Sequence, residues 1–269
     1  MDNRKKKFIR ELCEKARVRR ESGLFVVEGP KMCSEIPDDM VGEIYVTPDF
    51  LTSPGAGMCG ELLRAHGFET VTGADMQKMS DTVTPQGIMA LVKQKKKISL
   101  AEIAGYSASP LLLVLDRIQD PGNLGTMIRT SEAAGATGVI MNTGTVDPYS
   151  PKVVRSTMGS IFRVPFLVLD DLGEAVKRLK EGIHAGTGPV QVIATDLKAD
   201  ISYRETDFTK PTAILIGNES KGLSPELAAA ATKRVIIPMS GRVESLNAAM
   251  SAAILLFEAS GERRANGRP

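Results

Sequence analysis

The fold of this 269-residue chain is decided by Leu111-Leu-Leu-Val-Leu115 and by the loop that follows it, Asp116-Arg-Ile-Gln-Asp-Pro-Gly-Asn-Leu-Gly-Thr-Met-Ile-Arg129. An unbroken apolar run of this kind is typical of a strand that is buried on both faces of a parallel sheet. Gly122 and Gly125 allow the backbone to turn sharply, and Asn123 is a candidate N-cap for a helix over 122–135. Because the loop matches neither common glycine-rich nucleotide-binding pattern, we do not assign it to a dinucleotide or P-loop site.

Short apolar runs continue this pattern towards the C-terminus. They predict strands over 137–141, 164–168, 190–194, 213–216 and 235–237, a helix over 171–181 and a last helix from about 245. Alternating strands and helices are typical of a parallel α/β sheet, in which ligands bind at the carboxyl ends of the strands. The loops after Leu115, Ile216 and Ile237 are therefore the places to look for chemistry.

The N-terminal third of the chain predicts a smaller α/β module. A basic helix over 4–20 precedes strands over 24–28, 43–47, 68–71 and 87–92, with a helix over 61–66. Residues 96–110 lack a clear period and predict a linker. The expected organisation is a domain at 1–95, this linker, a larger domain at 111–261 and a polar tail at 262–269.

Charge is unevenly distributed along the chain. The formal net charge is +2, yet residues 1–20 carry nine Lys and Arg against three Asp and Glu. Such a cluster favours contact with a nucleic-acid backbone, with Arg4 to Lys7, Arg17, Arg19 and Arg20 as candidate phosphate contacts. The alternative is a helix face that is simply solvated.

Composition argues against several other classes of protein. No apolar run approaches the roughly 20 residues that span a bilayer, and the basic N-terminus has no apolar signal core. We therefore expect a cytoplasmic protein without a membrane partner. Three cysteines without close spacing predict reduced structural thiols. The two histidines, His66 and His184, are expected to be structural or surface residues, and we expect no metal site.

Two further glycine-containing loops follow predicted strands. They are Gly217-Asn-Glu-Ser-Lys-Gly222 and Ile237-Pro-Met-Ser-Gly-Arg-Val-Glu-Ser-Leu-Asn247. Taken singly, Glu219 is explained as a turn residue, and Ser245 and Asn247 as caps of the final helix. Those explanations do not account for three such loops at three strand ends of one domain.

Together, the three loops resemble the motifs of the SpoU/TrmH-type RNA ribose methyltransferases of the SPOUT superfamily. The matching strings are Asn123-x-Gly-x-x-x-Arg129, Gly217-Asn-Glu-x-x-Gly222, and Ile237-Pro-Met-x-Gly with Ser245-Leu-Asn247. Gly23-Leu-Phe-Val-Val-Glu-Gly29 and Gln86-Gly-Ile-Met-Ala90 are similar to strings of the family's substrate-binding module. The resemblance covers residues 8 to about 260.

The resemblance implies an architecture and a cofactor. The C-terminal domain would be a trefoil-knotted α/β methyltransferase, and the N-terminal module would be similar to ribosomal protein L30e and contact RNA. The cofactor would be S-adenosylmethionine. The residues implied to hold it through backbone groups or to line its pocket are Gly217, Ile237, Leu246, Met239 and Thr195.

The resemblance also implies which residues take part in the reaction. The implied catalytic positions are Arg129, Asn123, Glu219, Ser245 and Asn247. The string Arg155-Ser-Thr-Met-Gly159 is also similar to the family, and Arg155 is either an RNA contact or part of a turn. The family works as a homodimer that packs through its knots.

The implied reaction is in-line attack of a ribose 2′-hydroxyl on a methyl group that is already activated. A guanidinium essentially never gives up its proton at neutral pH, so we expect Arg129 to orient an RNA phosphate and to stabilise developing negative charge. The hydroxyl proton goes either to that phosphate or to Arg129 in an unusual state. Asn123 and Asn247 would fix geometry, Glu219 would hold the loops or Arg129, and Ser245 would be a hydrogen-bond anchor.

These inferences favour methyl transfer to structured RNA, with 23S rRNA ahead of tRNA because an L30e-like module is expected. The alternatives are a tRNA 2′-O-methyltransferase and a non-catalytic RNA-binding or ribosome-assembly protein with the same fold. A nucleotide-binding oxidoreductase is disfavoured because the GxGxxG pattern is missing.

The final helix carries apolar residues on two sides, which supports the implied homodimer. The side from Leu246 to Phe257 is expected to face its own domain. The side formed by Ala248, Ala252 and Leu256 is expected to meet a second copy or to pack inside the same domain.

Overall fold

The structure, a computed structural model, describes residues 1–183 and 188–267, so His184 and the end of the predicted tail lie outside the described residues. The chain divides into two compact units. Unit 1 comprises residues 1–96 and 147–162, and unit 2 comprises residues 97–146 and 163–269.

The elements follow in chain order. The strands are β1 (Leu24–Glu28), β2 (Val41–Val46), β3 (Glu69–Thr70), β4 (Ile88–Lys93), β5 (Leu111–Leu115), β6 (Gly138–Asn142), β7 (Phe166–Leu169), β8 (Gln191–Thr195), β9 (Thr212–Ile216) and β10 (Lys233–Val235). The α-helices are α1 (Asn3–Glu14), α2 (Ala16–Ser22), α3 (Pro30–Cys33), α4 (Pro48–Leu51), α5 (Pro54–Met58), α6 (Gly60–His66), α7 (Gly73–Met79), α8 (Leu100–Gly105), α9 (Pro121–Ala133), α10 (Pro151–Thr157), α11 (Ser160–Arg163), α12 (Leu172–Glu181), α13 (Pro225–Ala230) and α14 (Ala248–Ala265). Short 3-10 turns lie at Asp38–Met40 and Tyr203–Glu205.

Unit 1 contains a four-stranded sheet in the order β1-β4-β2-β3. Strand β4 is antiparallel to β1 and β2, and β3 is parallel to β2. The apolar side of α1, formed by Ile9, Leu12 and Cys13, is buried in the core of this unit. The predicted basic helix over 4–20 is divided into α1 and α2, because Lys15 takes an extended backbone conformation between them.

The segment 147–162 completes the core of unit 1, although the sequence predicted it as part of the C-terminal domain. Asp147 pairs with the buried Arg19. The Tyr149 ring lies 4.8 Å from the Phe25 ring, and the Phe162 ring lies 6.4 Å from it, between centroids. Unit 1 is therefore built from two stretches of chain that are distant in sequence.

Unit 2 contains a six-stranded sheet in the order β10-β8-β9-β5-β6-β7. All of its pairings are parallel, which confirms the predicted α/β class. Strand β5 is buried along its whole length between β9 and β6, as its apolar run predicts. The carboxyl ends of these strands lie at one edge of the sheet, so the loops after β5, β9 and β10 share that edge. The knot stays a prediction.

The predicted linker over 96–110 is partly helical. Helix α8 begins with a capping box between Ser99 and Glu102. Its residues Leu100, Ile103 and Ala104 are buried in the core of unit 2. Gly138 in β6 permits this packing, since a Cβ there would lie 2.5 Å from Ile103 Cδ1. Part of the expected linker is therefore a core element of unit 2.

Burial along α14 differs from the two sides that the sequence predicted. Ala252 and Leu256 are fully buried, whereas Met250 is 50% and Phe257 is 47% exposed. The reason is that α14 packs against α9 and β9, where the small side chains of Ala249 and Ala252 permit close approach. The expectation that the Leu246-to-Phe257 side faces its own domain is therefore wrong for Leu246, Met250 and Phe257, although Ala249 of that side is buried. No described helix, α14 included, is long and apolar enough to span a membrane.

Candidate active site

A cavity of about 210 Å³ lies at the carboxyl ends of β8, β9 and β10. Apolar side chains such as Leu197, Leu223 and Val235 form part of its wall. The five residues predicted to hold a cofactor all line it: Thr195, Gly217, Ile237, Met239 and Leu246. The folded chain therefore brings these five positions into one site, although their contacts with a cofactor stay a prediction.

Gly217 occupies a position at which a side chain does not fit. A Cβ there would lie 2.2 Å from the carbonyl carbon of Gly222 and 2.2 Å from the nitrogen of Leu223. The loop closes on itself, because the Asn218 and Gly222 backbones exchange hydrogen bonds of 3.1 Å and 2.9 Å. Gly222 completes the turn with φ +67°, a conformation that favours glycine. The tight turn places the backbone of Gly217 directly at the cavity.

The backbone groups at the cavity are available to a ligand. Within residues 1–183 and 188–267, no hydrogen bond engages the N–H and C=O groups of Gly217, Ile237 or Leu246. Apolar walls suit a flat base, and open backbone donors and acceptors suit the polar edge of a base. The cavity therefore fits the cofactor that the family resemblance implies.

Asp120, rather than Asn123, caps the helix that follows β5. Its side chain accepts from the Asn123 N–H at 2.8 Å, and Pro121 occupies the first helical position. The prediction that Asn123 is the N-cap is therefore wrong. The Asn123 side chain is instead directed to the other two loops. Its Nδ2 donates to Glu219 Oε1 at 3.1 Å, and its Oδ1 accepts from Asn247 Nδ2 at 2.9 Å.

The Glu219 carboxylate joins the second loop to the first. Its oxygens accept from the N–H groups of Gln119 and Asp120, each at 3.1 Å, as well as from Asn123. Partial burial alone would raise the pKa of the Glu219 carboxyl, but the hydrogen bonds from Asn123 and from backbone N–H groups lower it below its ordinary value. Glu219 is thus a hydrogen-bond acceptor that joins the second motif loop to the first.

Asn247 serves the third loop and the last helix at once. Its Oδ1 accepts from the N–H groups of Ala249 and Met250 at 2.8 Å and 3.2 Å, which caps α14. Its Nδ2 is the group that donates to Asn123. The capping interpretation is therefore confirmed, and the site role of Asn247 stays a prediction. Ser245 is exposed and lines the cavity.

Arg129 is an exposed cation on α9, the helix that also carries Asn123. In the described part of the chain, no hydrogen bond or ion pair engages its guanidinium. A free guanidinium can bind a phosphate with two parallel hydrogen bonds. The first motif therefore presents an anion-binding group beside loops that are fixed by hydrogen bonds.

The four predicted RNA-contacting arginines differ in exposure. Arg19 is 3% exposed and donates to the carbonyls of Leu12 and Cys13 and to the carboxylate of Asp147. Its predicted phosphate contact is corrected to a structural role, because the guanidinium is enclosed within unit 1. Arg17 and Arg20 are exposed. Arg155 is half-buried and pairs with Asp81 at 2.9 Å.

The sequence analysis did not identify two residues, Asn218 and Asp116, whose side chains hydrogen-bond to the backbone of the motif loops. Asn218 Oδ1 accepts from the N–H groups of Ser220 and Lys221, each at 3.0 Å, and its Nδ2 donates to the Arg117 carbonyl at 2.8 Å. Asp116 accepts from the Ser224 N–H at 2.8 Å. A polar residue directly after the buried β5 was the available sequence indication.

No group of three or more His, Cys, Asp or Glu that could hold a metal occurs among the residues that the structure describes.

Two family models match the chain. The SpoU rRNA Methylase family matches residues 110–257, and the MRM3-like substrate binding domain matches residues 3–90.

Known proteins resemble the chain over most of its length. An uncharacterized tRNA/rRNA methyltransferase of Synechocystis is 38% identical over 74% of this chain and 69% of that protein. The 23S rRNA (guanosine(2553)-2′-O)-methyltransferase RlmP of Bacillus subtilis is 32% identical over 90% of this chain and 91% of its own length. The crystal structure of the SpoU methyltransferase AviRb from Streptomyces viridochromogenes, in complex with AdoMet, superposes with a TM-score of 0.86 at 30% identity, over 98% of this chain and 99% of that one.

Proposed function

The chain belongs to the SpoU rRNA methylase family, and from that premise we propose that it transfers the methyl group of S-adenosylmethionine to a ribose 2′-hydroxyl of 23S rRNA. One observation carries this proposal beyond the family name. The Asn123 side chain contacts both Glu219 and Asn247, so three motif loops converge beside one cavity with Arg129 free on the same helix. A tRNA substrate and a non-catalytic assembly role are the less favoured alternatives.

S-adenosylmethionine, which AviRb binds, supplies a methyl group that its positively charged sulfur already activates. The backbone groups of Gly217, Ile237 and Leu246 would hold the cofactor in the cavity, and Thr195 and Met239 would line it. What remains for the protein is to align the ribose hydroxyl and to stabilise the charge that develops on its oxygen.

Arg129 performs the electrostatic part of that task. A guanidinium stays protonated near neutral pH, so Arg129 binds the phosphate next to the target ribose and stabilises the developing oxyanion. Glu219 is a poor proton acceptor, since its pKa is lowered and its oxygens already accept three hydrogen bonds. Asn123 and Asn247 position the ribose, Ser245 anchors the third loop, and the RNA phosphate takes the hydroxyl proton.

Unit 1 contributes recognition of the RNA. Its residues 3–90 match a substrate-binding family, and Arg17 and Arg20 are exposed on α2. Arg155 becomes a phosphate contact where RNA displaces Asp81 from it. An RNA contact of this kind releases counterions, so affinity falls steeply with salt concentration.

The proposal includes the assembly and the location of the protein. A second copy covers the exposed Met250 and Phe257 side of α14, which makes a homodimer with the third motif at its interface. The chain near the third motif passes through a loop to form the knot of the family. A cytoplasmic location is also part of the proposal.

A methyl-transfer assay with purified protein tests the proposal. The protein is incubated with labelled S-adenosylmethionine and either unmodified 23S rRNA or total tRNA, and the RNA is digested to nucleosides. We expect label in one 2′-O-methyl nucleoside of 23S rRNA, and a loss of about a hundredfold or more in Arg129→Ala with cofactor affinity within a few fold. Arg178→Ala, an exposed arginine on α12, is the matched control and keeps wild-type activity.

Each contrary result points to an alternative. Label in tRNA alone favours the tRNA enzyme. Cofactor binding without transfer to either RNA favours the non-catalytic assembly protein. Arg129→Ala with more than about a tenth of wild-type turnover contradicts the role of Arg129.

A further inference from the structure

Arg117 has a left-handed backbone conformation, which residues other than glycine rarely adopt. Its φ is 56°, and it directly follows the buried Asp116 at the end of β5. In this conformation the Arg117 N–H donates to Asn142 Oδ1 at 3.0 Å, and the Arg117 C=O accepts from Asn218 Nδ2 at 2.8 Å. An unfavourable conformation persists only where its surroundings hold it. These contacts join the chain after β5 to the last residue of β6 and to the chain after β9.

The Asp116 carboxylate is at the centre of these contacts. It is 2% exposed, and Oδ1 accepts from Arg117 Nε and Asn142 Nδ2, each at 2.9 Å. Oδ2 accepts from Arg117 Nη2 at 3.0 Å and from the Ser224 N–H at 2.8 Å. A carboxylate has about four lone-pair sites, so all of them are engaged. The Arg117 guanidinium supplies the charge compensation that a buried carboxylate requires.

These contacts hold the second motif loop at both of its ends. Asn218 lies at the start of the turn and Ser224 lies just after it, so both anchor points belong to the Asp116–Arg117 pair. Between the anchors, Glu219 accepts from Gln119, Asp120 and Asn123. Neither Asp116 nor Arg117 is among the residues that line the cavity. Any effect of the pair on the reaction therefore passes through the second motif loop, which carries Glu219.

We propose that Asp116 and Arg117 are positioning residues for methyl transfer, an inference that rests on the proposed function. The ion pair fixes Asn218 and Ser224, and thereby holds the Glu219 carboxylate where it joins the first and third motif loops. The position after Asp116 is an arginine despite its positive φ because a glycine would leave the buried carboxylate without a cation.

Two substitutions separate the carboxylate from the cation. Asp116→Asn keeps the shape of the side chain but places an amide N–H₂ against groups that donate to Asp116, such as the Ser224 N–H. Arg117→Gly permits the same backbone conformation but removes the guanidinium. We expect each to slow single-turnover methyl transfer at saturating cofactor and RNA by about tenfold or more, with cofactor affinity within about threefold. The combined variant Asp116→Asn/Arg117→Gly is expected to lose less than the product of the two effects, because a neutral amide needs no cation.

Asp171→Asn is the matched control. Asp171 lines a surface depression that Asp116 and Arg117 also line, separate from the cavity at β8, β9 and β10. Its Oδ1 caps α12 by accepting from the Glu174 N–H at 2.9 Å. An asparagine keeps that cap, so the control is expected to retain the wild-type rate.

A measurement that does not depend on activity follows the backbone N–H groups of Gln119 and Asp120, which donate to Glu219. In nuclear magnetic resonance spectra we expect both N–H groups to exchange faster with water in Asp116→Asn and Arg117→Gly, with β5 unchanged. The proposal is overturned if the rates and the exchange stay at wild-type values, or if β5 loses protection to the same extent. A wild-type protein that transfers no methyl group refutes the proposed function, whereas the exchange still tests the hold on Glu219.

Discussion

The motif loops of unit 2 and the basic N-terminus of unit 1 differ in what their polar side chains contact. In unit 2, Asn123 contacts Glu219 and Asn247 across 96 and 124 residues of sequence. In unit 1, six of the basic side chains in the first twenty residues contact carboxylates. The pairs are Lys5–Glu43, Lys6–Asp75, Arg10–Glu14, Lys15–Glu11, Arg17–Glu21 and Arg19–Asp147. The motif residues Asn123, Glu219 and Asn247 thus contact one another, whereas charge content does not predict which cations are free.

The largest effect that we expect separates two adjacent arginines of unit 1. Arg19→Ala leaves Asp147 without its buried partner and two carbonyls without a donor, so we expect it to lower the free energy of unfolding by about 3–5 kcal/mol. Arg20→Ala, at an exposed neighbour, is the matched control and should unfold like wild type.

Thiol labelling locates the damage, because Cys13, Cys33 and Cys59 all lie in unit 1 and are buried. Arg19→Ala should expose them to a thiol reagent under conditions in which the wild type is inert. If Arg19→Ala instead keeps wild-type stability and weakens RNA binding, the assignment of Arg19 to the core is wrong.

The second effect concerns the contacts among the motif loops. Asn123→Asp is nearly isosteric, but it replaces Nδ2 with a carboxylate oxygen. Nδ2 lies 3.1 Å from Glu219 Oε1, so the substitution sets two negatively charged oxygens against each other. We expect methyl transfer to fall by about a hundredfold, since the loops separate. The reversed pair Asn123→Asp/Glu219→Gln restores the donor-to-acceptor contact, but its amide also faces the Asp120 N–H, so it should recover only part of the rate. A wild-type rate in Asn123→Asp would contradict the direct contact between the two side chains.

The sequence predicted the core strand of unit 2 and the residues that meet at its edge, but not all of the local detail. The apolar run predicted β5 with its observed bounds, because a strand buried on both faces requires consecutive apolar residues, and Leu111–Leu115 are five of them. The N-cap was misassigned to Asn123, although Pro121 at the first helical position points to Asp120. The Ser99–Glu102 capping box was likewise a visible sign of a helix in the expected linker.

Other features depend on contacts that no local pattern contains. Nothing in the period of 147–162 indicates that Tyr149 and Phe162 contact Phe25 of unit 1. The apolar sides of α14 were visible, but which one is buried depends on α9 and β9, which lie elsewhere in the chain. The left-handed conformation of Arg117 was also hidden, because a sequence containing arginine gives no reason to expect it.

A third effect distinguishes neighbouring residues of α14. Phe257→Glu places a charge on the side exposed in a single chain, and we expect it to raise the dissociation constant of the proposed homodimer by about tenfold or more. Leu256→Glu places the charge in the core and should instead unfold unit 2. Analytical ultracentrifugation measures the first, and thermal unfolding measures the second. A wild-type protein that is monomeric and fully active at micromolar concentration would refute the dimer.

The smallest effect is a difference in pH dependence between the two units. Burial raises the pKa of the Cys13 thiol and that of the Tyr149 hydroxyl, each to about 12, and both groups lie in unit 1. A group whose pKa is higher in the folded protein stabilises it fully below its unfolded value, and that stability is lost as the pH rises through the folded value. Unit 1 should therefore weaken as the pH rises from about 9 towards 12.

The opposite sign applies to Glu219 in unit 2. Its pKa is lowered from 4.5, so its contacts stabilise the loops above that pH and are lost as the pH falls through the lowered value. Hydrogen exchange followed by mass spectrometry should show that unit 1 opens first at alkaline pH, whereas the motif loops of unit 2 open first at acidic pH. The same order of opening at both extremes would contradict this assignment.

The most direct test of the central claim is a map of ribose methylation in cells. All 2′-O-methyl positions of rRNA and tRNA are compared between the parent, a strain that lacks this protein, and deletion strains that carry either the wild-type protein or Arg129→Ala. We expect one position in 23S rRNA to lose its methyl group in the deletion strain, to regain it with the wild type and to remain unmethylated with Arg129→Ala. An unchanged map, a loss confined to tRNA, or full restoration by Arg129→Ala would contradict the account.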